Sequence, residues 1–224
     1  MKVTKRQQTW EKLDRNKVYA LADAIEALRE YSSKKFDESL EIAIRLGIDV
    51  TKADQNIRGM LSLPNGTGKS VRVAVFTVNS ADEAKKAGAD VIGGEDLIEK
   101  VAAGEINFDR VIATPDMMPK MSKVARILGP KGLMPNPKLG TVTNNVAEAV
   151  KMAKAGQIEY RAEKKGIIHA GIGKMSFATD KLVENAMALV DQLKKVKPAS
   201  SKGQYILGVS VATTQGPGLN VDVK

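Results

Sequence analysis

Apolar and polar positions change rhythm along this chain. Between residues 39 and 46 they alternate, with Leu40, Ile42, Ile44 and Leu46 on one side and Glu41, Ala43 and Arg45 on the other. That is the period of a half-buried strand. Upstream, Leu21, Ile25 and Leu28 fall in helical register within residues 18–31. Residues 57–63 form a second strand, 158–161 and 166–170 a hairpin through a Glu-Lys-Lys turn, 179–193 a helix and 205–213 a last strand. The middle of the chain differs. Short apolar strands at 71–76, 90–92 and 110–114 alternate with helices at 80–88, 94–103 and 118–128. Ser80 and Glu83 have the spacing of a capping box. A final helix at 144–155 sets Val146, Ala149, Val150 and Ala153 on one face and ends at Gly156.

Strands alternating with helices imply right-handed crossovers and a parallel sheet. Neither flank can complete a sheet alone, because two-stranded pieces are marginal. The economical solution is a discontinuous α+β domain, residues 1–66 plus 158–224. Residues 67–157 are inserted into it as a three-layer α/β, Rossmann-like domain with a parallel sheet. The chain crosses between them near 63–65 and 156–159.

Residues 127–142 have no route to regular structure. Pro130, Pro135 and Pro137 each remove a backbone donor, and Gly129, Gly132 and Gly140 loosen the chain between them. Leu128, Leu133, Met134 and Leu139 nonetheless supply apolar anchors. The segment reads as a fixed irregular loop that displays Lys131 and Lys138.

Composition narrows the function. A hydrophobic share of 43% suffices for packed cores. No apolar run approaches the roughly 20 residues of a membrane span. Residues 1–16 are polar, without the apolar stretch of a secretory signal. Cysteine is absent, which excludes disulfides and thiolate metal sites. These features describe a soluble, cytoplasmic protein. The formal charge of +9 favours a polyanionic partner. Residues 1–66 carry 12 basic and 10 acidic side chains, 67–157 carry 13 and 10, and 158–224 carry 10 and 6. The joined flanks therefore hold two thirds of the excess.

Catalytic patterns fail one by one. Pro64 to Ser70 ends in Gly-Lys-Ser, but a phosphate loop needs glycine where Leu63 stands, and it must open a helix rather than a strand. A flexible hinge suits this stretch better. Gly171 to Ser176 breaks the dinucleotide fingerprint at Ser176 and reads as a tight turn with one exposed lysine. His169, the single histidine, has no carboxylate at ligand spacing and reads as a satisfied strand histidine. We therefore expect no enzyme, no cofactor and no metal.

For nucleic acid, 4% aromatics are too few for a base-stacking sheet, and no helix is dense enough in Arg or Lys to read a groove. What remains is small polar and basic groups on strand ends and turns: Lys35, Ser39, Lys52, Arg58, Lys174, Ser176, Thr213, Thr214, Gln215 and Gly216. Hydroxyls, an amide and exposed N–H groups suit phosphates and ribose 2′-hydroxyls on folded RNA. Gly216-Pro217-Gly218 should halt the last strand and turn Thr213, Thr214 and Gln215 outward.

The stretch LGPKGLMPNPKLGTV (128–142) resembles the signature of the bacterial ribosomal protein L-one family, the stalk protein of the large ribosomal subunit. Lys35-Phe36-Asp37-Glu38-Ser39, Asp54 to Gly59, Ala113-Thr114-Pro115-Asp116 and Gly173 to Phe177 are similar to family segments in the same order. The resemblance implies a structural protein that binds large-subunit rRNA at the mobile stalk near the exit site and assists release of deacylated tRNA. It also implies repression of the protein's own-operon mRNA, and a monomer off the ribosome. The grip would come chiefly from Phe36, Ser39, Lys174, Ser176, Thr214 and Gly216, with Phe36 packed inward to hold Lys35 and Ser39. Lys131 and Lys138 would form a second RNA contact. Gln215 stands where the family usually has methionine, so an amide replaces an apolar contact. The rivals from other classes are a small-molecule enzyme on the parallel sheet, using Asp116 and Gly93-Gly94, and a general RNA chaperone.

Overall fold

The structure is a computed structural model that describes residues 8–10, 13–33 and 35–223. Its elements in chain order are β1 (Val18–Ala20), α1 (Leu21–Glu30), β2 (Ser39–Leu46), β3 (Arg58–Ser62), β4 (Val73–Phe76), α2 (Ala81–Lys86), β5 (Val91–Gly93), α3 (Glu95–Ala102) and β6 (Arg110–Ala113). They continue with α4 (Met118–Met121), α5 (Ala125–Leu128), α6 (Val146–Lys154), β7 (Gln157–Arg161), β8 (Ile167–Lys174), α7 (Thr179–Lys195), β9 (Ile206–Thr213) and β10 (Gly218–Asp222). The result is a mixed α/β protein with several sheets. Internal contacts gather the described residues into two compact units, Met1–Gly68 with Ile158–Lys224, and Lys69–Gln157.

The first unit is built on a five-stranded sheet in the order β1-β10-β9-β2-β8, so strands from both ends of the chain hydrogen-bond side by side. β2 lies between β9 and the edge strand β8, antiparallel to both. Its period of two buries Leu40, Ile42, Ile44 and Leu46 against Leu21, Ala24, Ile25 and Leu28 of α1 and the Leu182, Ala186, Leu189, Val190 and Leu193 stripe of α7. Burial of each Leu, Ile or Val among them contributes about 1.5–3 kcal/mol. β3 and β7 form a separate two-stranded sheet.

The second unit has a three-stranded parallel sheet, β5-β4-β6. All four residues of β4 are buried because both faces of the sheet are covered. Ala74 and Phe76 face Leu97, Ile98, Val101 and Met121, whereas Val73 and Val75 face Ala84, Val146 and Val150. The loop after α5 is held by its own groups. The Asn136 N–H donates to Thr141 Oγ1 at 2.8 Å, and the Asn136 side chain accepts the Lys138 N–H at 2.9 Å. Leu128 and Leu139 are buried, and Lys131 and Lys138 are exposed. Gly140 takes a φ of 67° to close the one-turn helix Pro137–Leu139, a conformation that other residues resist.

Several local expectations are corrected. Val18 and Tyr19 are strand, not helix, because they pair parallel with Asn220 and Val221 of β10, a strand absent from the sequence reading. Residues 118–128 are not one helix, since a 3-10 turn at Ser122–Val124 divides α4 from α5. The expected hairpin shrinks to one bridge, Ala162 to Ile168, because β7 pairs with β3 while β8 joins β2 and continues to Lys174. Gly171 to Lys174 is therefore strand rather than tight turn. Ser80 makes no side-chain cap bond; its N–H donates to Thr77 Oγ1 at 3.1 Å. The stretch read as a flexible hinge is partly pinned. Asn185 in α7 accepts the Asn65 N–H at 3.1 Å and donates to the Gly66 carbonyl at 3.0 Å.

Candidate nucleic-acid interface

Antiparallel pairing brings three distant segments to one end of the five-stranded sheet. Ser39 lies opposite Lys174, and Leu40 opposite Thr213. Two carboxylates then lock the ends together. Glu38, 1% exposed, accepts the Ser33 N–H at 2.7 Å and the Gln215 N–H at 3.3 Å, and its carbonyl accepts the Met175 N–H at 2.9 Å. A carboxylate so deep is tolerable only because these donors replace water. Asp37 accepts both the Ser176 N–H at 3.1 Å and the Ser176 hydroxyl at 2.8 Å, and its carbonyl accepts from Lys174 Nζ at 3.1 Å. Ser39 and Thr214 close the seam. The Ser39 N–H donates to Thr214 Oγ1 at 2.9 Å, and the Thr214 N–H donates to the Ser39 carbonyl at 3.1 Å.

The surface that results presents Lys35, Phe36, Ser176, Thr214 and Gln215 to solvent, with Ser39, Lys174 and Gly216 half-buried among them. Phe36 is 44% exposed, so it offers a ring outward instead of packing beneath Lys35 and Ser39. Ser176 gives its hydroxyl proton and its N–H to Asp37, so what it offers a ligand is an acceptor rather than the expected N–H. Thr213 does not face outward. It is 4% exposed because it continues the inward parity of Val209 and Val211, and its Oγ1 is buried without a hydrogen-bond partner. Gly216 lies over that atom, where a Cβ would collide with Thr213 Oγ1.

Lys52 and Arg58 do not join this cluster. Lys52 starts the turn that follows the opposite end of β2, and Arg58 pairs with Glu159 at 2.8 Å on the small sheet. His169 lies on a strand as expected, on the open side of β8, where it is about half exposed with Nε2 3.8 Å from Glu163. Lys131 and Lys138 belong to the second unit.

Sequence reasoning alone gives Asp37 and Glu38 no role. The signal was present for Glu38. Extending the alternation of β2 back one step places it inward, where a carboxylate must be hydrogen-bonded. At the carboxyl ends of the parallel sheet, the Gly94 N–H is spent on Asp96 at 2.8 Å, and that bond holds the Asp96 carboxyl below the usual range. Among the described residues no group of three or more His, Cys, Asp or Glu could hold a metal, and no helix is long and apolar enough to cross a membrane.

Strand-end hydroxyls, a tethered lysine and an exposed ring thus gather at one edge of the sheet. The model of the Ribosomal protein L1p/L10e family matches residues 28–217, and the chain belongs to that family. It is thus a ribosomal protein that binds rRNA of the large subunit, in a family of structural RNA-binding proteins rather than enzymes.

Proposed function

We propose that the strand-end surface of Lys35, Phe36, Ser39, Lys174, Ser176, Thr214, Gln215 and Gly216 is where this protein grips large-subunit rRNA. The observation that carries this reading is the latch of Asp37 and Glu38, which draws segments 137–177 residues apart into one rigid edge. Rigid placement of hydroxyl and amide groups suits recognition of folded RNA by shape and 2′-hydroxyl. The bound RNA is the mobile stalk near the exit site, and the protein assists release of deacylated tRNA there. A similar fold in its own-operon mRNA allows translational repression.

The same reading takes the described part of residues 1–66 with 158–224 as the rRNA-binding domain, and 67–157 as an inserted domain whose Lys131 and Lys138 touch further RNA. The protein works in the cytoplasm, as a monomer off the ribosome. Lys52 and Arg58 make no part of the strand-end grip. Competition binding tests this: folded stalk rRNA should displace the protein from bulk RNA at far lower concentration than the reverse. Equal competition would instead fit a general chaperone and sink the proposal.

A further inference from the structure

We propose that the opposite end of the five-stranded sheet carries a second, chiefly electrostatic contact for RNA phosphates, in the open groove lined by Arg161, Lys164, Lys165, His169 and Asn56. The groove has a volume of about 840 Å³. Arg161, Lys164 and Lys165 are exposed and make no ion pair among the described residues. Their backbone is fixed. The Glu163 N–H donates to the Ile167 carbonyl at 2.9 Å and the Gly166 N–H to the Glu163 carbonyl at 2.8 Å, so both lysines project from a closed turn. Of the two carboxylates in the groove, Glu159 is neutralised by Arg58 at 2.8 Å. Glu163 alone opposes an anion, with His169 at 3.8 Å.

The strand-end surface favours such a second contact. Among its described residues the cations are Lys35 and Lys174, Lys174 is tethered to the Asp37 carbonyl, and two carboxylates stand beside them. Such an edge can recognise a polyanion but has little charge with which to attract one. The groove lies past the Leu46 end of β2. The eight residues of that strand span about 24 Å at roughly 3.4 Å per step. Charge repeated over such a distance is a property of an RNA backbone, not of a compact anion. The inference rests on the strand-end reading only in placing both contacts on one RNA.

The test is filter binding of the full chain to folded stalk rRNA over a range of salt. Each phosphate contact contributes about 0.7–0.9 to the slope of log K against log[salt]. The triple variant Arg161→Ala, Lys164→Ala, Lys165→Ala should therefore bind with a slope shallower by about 2–3. Glu163→Gln should tighten binding at low salt, an outcome that damage to the fold would not produce. Thr214→Ala should weaken binding and leave the slope unchanged. A triple variant with wild-type affinity and slope overturns the groove, whatever Thr214→Ala does. A silent Thr214→Ala beside a shallower triple variant overturns the strand-end reading and leaves the groove standing.

Discussion

Ser39 and Thr214, 175 positions apart, hold each other through a reciprocal pair of hydrogen bonds, 2.9 Å from the Ser39 N–H to the Thr214 hydroxyl and 3.1 Å from the Thr214 N–H to the Ser39 carbonyl. The hydroxyl that sequence alone assigns to RNA therefore also joins the two ends of the chain. Thr214→Ala should cost about 1–2 kcal/mol of rRNA affinity, the scale of one hydrogen-bonded group left unpaired. Thr214→Ser, which keeps the acceptor, should recover most of it. Filter binding measures both, and an alanine variant with unchanged affinity would remove Thr214 from the interface.

Gly216 and Thr213 form a second coupled pair. A methyl group on Gly216 would collide with Thr213 Oγ1, an atom already buried without a partner. Gly216→Ala must therefore push the turn outward, with a cost of about 1–3 kcal/mol in stability. Thr213→Ala removes the colliding oxygen and should be nearly neutral alone. Combined with Gly216→Ala it should restore much of the loss, a coupling a double-mutant cycle can read from urea midpoints. Additive effects would show that the clash is relieved elsewhere.

The regular parts of this fold were legible because burial writes a period. The alternation in β2 and the α7 stripe of Leu182, Ala186, Leu189 and Leu193 identify their elements directly. Partner choice was not legible. Nothing local tells β7 to leave β8 for β3, or Val18–Ala20 to pair with β10 instead of extending α1. β10 itself, five residues with only Leu219 and Val221 buried, is too short to stand out. The hydroxyls and lysines proposed for the site are legible in the sequence as surface chemistry. The carboxylates that position them were not, because an acidic pair looks wrong on a surface for polyanions until its hydrogen bonds are seen. Thr213 shows the converse, since its parity with Val209 and Val211 already marked it as inward.

Asn185 is fully buried in α7 and ties the end of the first crossing to the sheet, accepting from the Asn65 N–H and donating to the Gly66 and Ile172 carbonyls at 3.0 and 2.8 Å. Asn185→Ala leaves the buried Ile172 carbonyl, and the half-buried Asn65 N–H and Gly66 carbonyl, without these bonds. A loss of about 3 kcal/mol is expected, at roughly 1–3 kcal/mol for each buried group left unpaired. Asn185→Asp should be worse, because it replaces the donating amide by a buried charge. Urea denaturation decides, and a loss below about 1 kcal/mol for the alanine variant would mean that Asn65 and Gly66 are not fastened as described.

Lys131 and Lys138 are exposed on a loop of the second unit whose geometry is set by Asn136 and Thr141. Lys131→Ala should leave affinity for the isolated stalk rRNA nearly untouched, as should Lys138→Ala. Both should weaken whatever further RNA that unit contacts. A large loss on the isolated stalk RNA would refute the division of labour between the units.

Tyr205 is 7% exposed, and its hydroxyl is buried without a hydrogen-bond partner. Burial, with a smaller contribution from Tyr160, pushes its pKa up to about 12. An unfolded tyrosine ionises at about 10. The folded state thus holds its proton longer, so the contribution to stability is complete below about pH 10 and is lost as pH rises from there through about 12. Tyr205→Phe removes that dependence. It also removes an unsatisfied polar atom, so at neutral pH the variant should be as stable as the parent or slightly more so. The difference between the urea midpoints of the two proteins reads the contribution of Tyr205, and it should widen in favour of phenylalanine above about pH 10. A difference that stays flat to pH 12 would show that this hydroxyl ionises as freely in the folded protein as in the unfolded chain.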